Sequence, residues 1–211
     1  MKRIIILALL LLVIASGAFA LDKAFGFGAL YNHSFTMGSW EDNWYESGGY
    51  YYDTDWTLTR NGLGGFIFLG LGRYIELNVG FLYKNPIHLI EKDSDGDVYE
   101  YQGGELNEWW KSAFAFQGGV YFKYPIPISD TFVFFPTIGA DFEYTLSSED
   151  EWWWNDLWLR GGVGLDIFLS QTMFLRTHLI YGAALPVGAE PDWGIKFSHG
   201  ALVKLGLGWM F

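Results

Sequence analysis

Residues 158–185 read WLRGGVGLDIFLSQTMFLRTHLIYGAAL, and apolar side chains occupy every second position on both sides of a short polar connection at 170–171. A period of two is the period of a β-strand, because successive side chains of a strand point to opposite faces. The stretch therefore predicts two strands joined by a tight turn, each with one apolar face. The opposite face carries Arg160, Gly162, Gly164, Asp166, Arg176, His178 and Gly182.

Eight segments with this alternation follow one another along the chain. Short turns alternate with long polar connections, which lie at 39–58, 85–109, 145–157 and 186–197. Strands joined by short turns are antiparallel neighbours. The pattern predicts an all-β chain that folds as an eight-stranded antiparallel up-and-down barrel. Its predicted strands are 23–36, 59–71, 74–84, 110–124, 131–144, 158–169, 172–185 and 198–210.

The position of charge within these segments favours a membrane barrel. A tilted transmembrane strand needs about 9–11 residues, and each segment is at least that long. A lysine or arginine that faces lipid at mid-membrane costs about 2–4 kcal/mol, and the charges of the fifth, sixth and seventh segments all fall opposite their apolar faces. A soluble barrel such as a lipocalin has the reverse arrangement. We therefore predict a transmembrane β-barrel with a polar lumen.

The polar faces predict a group of charged side chains inside the barrel. We expect them to form a salt-bridge and hydrogen-bond network in a closed lumen, because confined charges are tolerated mainly in pairs. The alternative is a narrow conduit, in which inward Phe66, Phe68 and Phe174 would suit a hydrophobic solute. The predicted lumen residues are Arg60, Glu76, Lys111, Lys123, Asp141, Glu143, Arg160, Asp166, Arg176, His178 and Lys204.

The beginning of the chain has the organisation of a cleavable signal peptide. Two basic residues at 2–3 precede an apolar run at 4–14, and the sequence AFA at 18–20 is typical of a cleavage site. A helix of about 11 residues would be only about 17 Å long, too short to span a bilayer. We predict a signal peptide at 1–20 and one exported barrel domain at 21–211.

The composition excludes several partners and chemistries. The chain has 24 acidic residues against 13 lysines and arginines, for a net charge of −11, so nucleic acid is not an expected partner. Without cysteine, thiol catalysis and cysteine-bound zinc are excluded. We expect no cofactor and no metal. The acidic run 93–97 spaces three carboxylates like a calcium loop, but Val98 and Gly104 stand where an EF-hand needs glycine and glutamate.

The long connections are acidic and rich in tryptophan, and they hold 18 of the 24 acidic residues. Tryptophan concentrates both at membrane interfaces and at recognition sites. We interpret these connections as a solvated rim with an aromatic girdle, and a binding surface for an extracellular ligand or host factor is the alternative. Their tryptophans include Trp40, Trp44, Trp56, Trp109, Trp110 and Trp152–Trp154, of which Trp110 starts the fourth predicted strand.

The last eight residues, KLGLGWMF at 204–211, resemble the signal that ends bacterial outer-membrane barrels. Lys204, Gly206, Trp209 and Phe211 match its polar, glycine, aromatic and final aromatic positions. With its eight strands, the chain resembles the small barrels of the OmpX, OmpW and OmpA transmembrane-domain kind. The resemblance implies an integral protein surrounded by the outer-membrane lipids of a diderm bacterium. It also implies passage by periplasmic chaperones and insertion by the barrel-assembly machinery.

The expected function is non-enzymatic, because the four histidines are scattered and no GxSxG nucleophile elbow occurs. We expect a monomer with periplasmic termini and extracellular long loops. The leading hypothesis is a closed barrel that displays its acidic, aromatic loops for envelope integrity or adhesion. The alternative is a narrow pore or conduit of the OmpW kind for small solutes, hydrophobic ones included.

Overall fold

The computed structural model describes residues 23–42, 52–147, 153–189 and 194–211. The predicted signal peptide at 1–20 lies outside the described residues. The described part consists of strands and one short helix. The strands are β1 Lys23–Asp42, β2 Tyr52–Leu71, β3 Ile75–Lys92, β4 Val98–Gln102, β5 Ala113–Lys123, β6 Ile126–Pro127, β7 Phe132–Ser147, β8 Trp153–Phe168, β9 Met173–Ala189 and β10 Ile195–Met210, and helix α1 is Gly104–Trp109.

Eight of these strands close into a ring. They pair antiparallel in the order β1, β2, β3, β5, β7, β8, β9 and β10, and β10 returns to pair with β1. This closing seam runs from the pair Ala24 and Met210 to the pair Gly38 and Ile195, with one register shift beside Gly38. The predicted eight-stranded antiparallel up-and-down barrel is confirmed.

The two ends of the barrel differ in their connections. The turn end holds the short connections together with Lys23 and Phe211, whose backbones hydrogen-bond to each other. The loop end holds the long connections. There β4 pairs with the His88–Lys92 part of β3, beyond the level at which β5 pairs with β3. No helix within the described ranges is long and apolar enough to cross a membrane.

The strands extend further toward the loop end than the sequence predicts. β2 begins at Tyr52 rather than at residue 59, and β3 continues to Lys92 rather than ending at residue 84. The difference has a physical reason. A run of polar residues predicts a loop, but two strands can continue to pair through their backbones where the outward side chains are polar and contact water. The fourth strand is shorter than predicted, because β5 begins at Ala113 and leaves Lys111 in the connection before it.

The two faces of the wall alternate as in a membrane barrel. Outward Leu63 and Ile138 are each 67% exposed, whereas inward Arg160 is 2% exposed. The interior is narrow enough to require glycine at some inward positions. A Cβ on Gly208 would lie 2.4 Å from the Phe174 ring and 2.8 Å from that of Phe68, so glycine makes room for both rings.

Candidate functional site: a charged lumen beneath an apolar cap

The structure gathers most of the predicted lumen residues inside the ring. Lys111 differs from the others, since it precedes β5 in the connection and is half-buried. The remaining ten are inward and buried, namely Arg60, Glu76, Lys123, Asp141, Glu143, Arg160, Asp166, Arg176, His178 and Lys204.

A group of ion pairs nearest the turn end is centred on Arg176 of β9. Its Nε and Nη2 atoms lie 2.6 and 2.5 Å from the two carboxylate oxygens of Asp166, and its Nη1 donates to Glu76. Glu76 also accepts from Asn78 at 3.0 Å and lies 3.5 Å from the Lys123 ammonium. We call Glu76, Lys123, Asp166 and Arg176 the lower network. It joins β3, β5, β8 and β9 across the lumen.

A second group of ion pairs lies further toward the loop end. The Asp141 carboxylate accepts a hydrogen bond from the Tyr121 hydroxyl and lies 2.7 Å from Nε of Arg160. The Lys84 ammonium donates to Glu143. All five side chains are buried, and we call them the upper network.

Several members of this interior are not predicted from the sequence. Lys84 has the same parity as Glu76 and could have been found by continuing that alternation to the end of its segment. Asp156 is 3% exposed on the inner face of β8, although its segment was predicted as a loop. By residue type, Tyr121 counts with the apolar residues of its segment. Its hydroxyl becomes part of the network only because the pairing of β5 with β7 brings Asp141 close to it.

Several buried polar groups of the lumen have no hydrogen-bond partner among the described residues. Among them are the ammonium of Lys204 and both ring nitrogens of His178. The Lys204 ammonium lies 4.6 Å from the Tyr121 ring centre and 5.5 Å from that of Phe66. Cation–π attraction of this kind offsets part of the cost of burying the charge.

An apolar cluster closes the lumen at the loop end. It consists of Trp56, Leu58, Leu89, Leu106 and Trp110, which we call the cap. The ring centres of Trp56 and Trp110 are 5.1 Å apart, and α1 supplies the fully buried Leu106. The interpretation of the loop tryptophans as a rim or surface is wrong for Trp56 and Trp110, since both are 2% exposed inside the barrel. The side chains of the other loop tryptophans lie outside the described residues.

The turn end contains a cavity of about 310 Å³. The lower network forms part of its lining through Lys123, Asp166 and Arg176, and Phe135 and Phe174 supply aromatic walls. Lumen contents therefore change along the barrel axis: a cavity, then two networks of charge, then an apolar cap.

The histidines are less scattered than the sequence indicates. On the outer wall, the ring centre of Phe35 lies 4.9 Å from that of His33 and 5.0 Å from that of His199. His33 also hydrogen-bonds Asn61 at 2.6 Å, and His199 hydrogen-bonds Tyr181 at 2.7 Å. Neither of these hydrogen-bond partners, Asn61 and Tyr181, is a carboxylate. Within the described ranges, no group of three or more histidine, aspartate or glutamate side chains could hold a metal ion.

The four residues of the predicted terminal signal occupy both faces of β10 and the position after it. Lys204 and Gly206 face inward and are buried. Trp209 faces outward, with its ring centre 5.9 Å from that of Phe27, and Phe211 is 72% exposed.

No protein-family model and no curated protein matches the sequence. Solved structures with similar folds include outer membrane protein OprG of Pseudomonas aeruginosa, at 13% identity and TM-score 0.47, with 90% of this chain and 95% of that chain covered. Neisserial surface protein A gives 10% identity and TM-score 0.45, with 89% and 99% covered. The attachment invasion locus protein Ail of Yersinia pestis gives 10% identity and TM-score 0.36, with 90% and 98% covered. By its own strand pairing and apolar outer wall, the chain has the fold of a small eight-stranded transmembrane β-barrel.

Proposed function

We propose that this protein is a closed, non-enzymatic barrel of the outer membrane that displays its loop end outside the cell. The observation that carries the proposal is the filled lumen, in which buried ion pairs and the cap occupy successive levels. The apolar outer wall supports insertion into lipid. Short connections at one end and long ones at the other support a periplasmic turn end, as in outer-membrane barrels generally.

The displayed surface that we propose is the hairpin formed by the end of β3 and β4. Its turn is held by Asp93, whose Oδ1 accepts backbone N–H groups of Asp95 and Asp97 at 3.0 and 2.9 Å. Gly96 has φ 92°, a conformation that favours glycine. Tyr99 is 48% exposed beside these carboxylates. An ordered tip with an exposed aromatic ring and acidic groups suits recognition of a cationic or carbohydrate partner in adhesion.

Orientation is tested by single-cysteine labelling, which has a clean background because the chain has no cysteine. In intact cells, a membrane-impermeant maleimide should label an Asp95→Cys variant and leave an Arg73→Cys variant unlabelled. Both variants should react after lysis. Labelling of Arg73→Cys alone in intact cells would contradict the proposed orientation.

Adhesion is tested by neutralising the hairpin while keeping Asp93, which holds the turn. Cells that carry Asp95→Asn, Asp97→Asn and Glu100→Gln together should bind host matrix several-fold less than wild type. A matched variant, Asp130→Asn at the turn end, should bind normally. Equal binding by all three strains would remove the adhesion role and leave envelope integrity, measured as resistance to detergent, as the display function.

A narrow conduit is the second candidate. It is favoured by Lys204 and His178, which are buried without a hydrogen-bond partner among the described residues, because water in a hydrated lumen would supply the missing hydrogen bonds. Conductance of the refolded protein across a planar bilayer separates the two functions. A closed barrel is electrically silent, and its Trp56→Ala variant remains silent because the two networks still fill the lumen. Discrete steps in wild type that change with Arg160→Ala would establish the conduit and reject the closed barrel.

We also propose that the barrel-assembly machinery reads β10 and Phe211. Support comes from the terminal aromatic pattern and from the exposure of the Phe211 side chain. A Phe211→Ala variant should insert less in cells, while the purified variant should refold in detergent as wild type does. Normal insertion in cells would contradict the role of Phe211.

A further inference from the structure

The middle of the lumen holds one buried ammonium group that belongs to neither network. Lys204 is 1% exposed, and its Nζ atom has no hydrogen-bond partner among the described residues. On the same inner face, Lys204 of β10 is paired with His178 of β9, and within the described ranges neither ring nitrogen of His178 has a hydrogen-bond partner. Directly opposed residues of antiparallel strands have Cβ atoms about 4.5–5.5 Å apart. The two side chains are therefore close enough to bind the same small group.

The charge balance of the lumen leaves Lys204 in excess. Each network holds two cations and two carboxylates, so the networks themselves are neutral. Lys204 lies in the electrostatic field of Asp141 and Glu76, but both carboxylates already have cationic partners within 3 Å. The other two buried charges of the lumen have opposite signs, namely Arg60 and Asp156. Among the described residues, six buried cations therefore face five buried carboxylates.

Several hydrogen-bond donors without a partner meet at this level. Arg160 and Lys204 both approach the hydrogen-bonded pair Tyr121 and Asp141, since Nε of Arg160 lies 2.7 Å from Asp141 and Nζ of Lys204 lies 4.6 Å from the Tyr121 ring centre. In the described part of the chain, Nη1 and Nη2 of Arg160 have no hydrogen-bond partner. A water molecule donates hydrogen bonds as well as accepting them, whereas a small anion only accepts. A group of donors with excess positive charge therefore favours an anion.

The position of Lys204 makes an uncompensated charge costly. The cap lies between it and the loop end, and the lower network lies on the side of the turn end, because Arg176 is two residues before His178 on β9. Cation–π attraction by the surrounding rings offsets only part of the cost of burying the ammonium. An anion in contact with the ammonium would remove the excess charge of the lumen. Such an ion would be enclosed as the barrel folds.

We propose that Lys204 and His178 bind a small monovalent anion such as chloride in the middle of the lumen. The lysine supplies the charge and N–H donors, and neutral His178 supplies one N–H in either tautomer. The Arg160 guanidinium adds to the positive field. Because the site is enclosed, it should accept chloride and bromide and reject bulky anions such as gluconate. The inference is independent of the proposed display function, since it concerns the interior and not the surface that the loop end presents.

The first test locates the ion. Wild-type protein is refolded and crystallised in bromide, which replaces chloride and is identified by its anomalous scattering. A bromide peak should lie in contact with the Lys204 ammonium and the His178 ring. Crystals of Lys204→Met prepared in the same way should lack the peak. Water alone at this position in the wild-type crystals, as a hydrated conduit would have, would overturn the proposal.

The second test measures the linkage between anion binding and folding. Reversible urea unfolding in lipid vesicles is followed as chloride replaces gluconate at constant ionic strength. For one ion bound only by the folded state, each tenfold rise in chloride above Kd should raise the folding equilibrium constant about tenfold. This dependence should vanish in Lys204→Met and weaken in His178→Phe. Lys196→Gln, which removes an exposed lysine at the loop end, should behave as wild type does.

The variants keep the proposal falsifiable. Methionine replaces a buried charge by an apolar side chain of similar length, a change that buried sites often tolerate, and resistance to gel denaturation without boiling shows that each variant is folded. Should Lys204→Met fail to fold, the bromide position in wild type and the chloride dependence of His178→Phe decide the question. An equal chloride dependence in wild type and the lumen variants would overturn the anion site. Neither test depends on which compartment the loop end faces.

Discussion

The cap and the networks fill the same lumen with opposite chemistry. At the level of the networks, the interior holds ion pairs packed among buried apolar side chains such as Phe66 and Ile180, and the outer wall is apolar, as Arg160 and Ile138 illustrate. At the level of the cap, an apolar cluster with Trp56 2% exposed occupies the interior beside buried Thr36 and Arg60, while on the same strand as Trp56 the Asp55 side chain is 75% exposed. The polarity of the wall therefore inverts along the strands. Which face is apolar depends on whether lipid or water lies outside.

The largest expected effect is in the upper network. Glu143→Leu should lower the free energy of unfolding by about 3–5 kcal/mol, because it leaves the Lys84 ammonium buried without its partner. The double variant Lys84→Met, Glu143→Leu should lose less than either single variant, since replacing a whole buried pair by apolar groups is often neutral. Reversible urea unfolding in lipid vesicles measures all three. Additive losses would show that the two side chains are independent.

A comparable loss is expected in the cap for a different reason. Trp56→Ala removes a buried ring that packs against Trp110 and should cost about 3 kcal/mol through lost burial and the cavity that remains. Trp56→Phe should retain most of the stability. The same urea assay measures both variants. A Trp56→Ala loss below about 1 kcal/mol would mean that the cap does not behave as a packed core.

The inversion itself is tested by one substitution placed at two levels of the outer wall. Ile138→Arg puts a charge in the apolar band between Phe134 and Phe142 and should cost about 2–4 kcal/mol. Thr57 lies on the outer wall at the level of the cap and is half-buried. Thr57→Arg should change the free energy of unfolding by less than about 0.5 kcal/mol. Equal costs would place both levels in the same solvent and contradict the inversion.

The smallest effect concerns pH at the hairpin. Burial raises the pKa of the Glu91 carboxyl above its ordinary value, although a hydrogen bond with Tyr101 acts in the opposite direction. A raised pKa in the folded state favours the protonated form, so its stabilisation is complete below the unfolded pKa and is lost as the pH rises through the folded pKa. As the pH rises through the folded pKa, backbone amides of β4 should therefore exchange with solvent faster. The increase should exceed the ordinary rise of amide exchange rates with pH. Glu91→Gln should abolish this extra dependence.

Much of the barrel wall could be predicted because the strand period assigns each residue to a face. In β8, Arg160 and Asp166 occupy even positions, whereas Leu159 and Leu165 occupy odd positions. The even positions therefore form the inner face. The same reasoning fails beyond the membrane, where polar residues such as Asp55 suggest a loop although β2 continues through them. The face of a residue is therefore easier to predict from the sequence than the end of its strand.

The contacts inside the lumen could not be predicted from the alternation. Lys84 meets Glu143 only because the β3–β5–β7 pairing sets their relative heights. Trp56 meets Trp110 only because α1 turns the chain back over the lumen before β5 begins. Both contacts join residues far apart in sequence, and register rather than residue type decides them.

The seam between β1 and β10 has a consequence for the order of folding. It pairs Ala24 with Met210. The wall therefore keeps two free edges until the first and last strands of the barrel meet. Contacts between residues this distant in sequence form slowly, since the intervening loop must first be closed. Until then both edges can pair with another chain. Closure is therefore the step at which this chain stops being prone to aggregation.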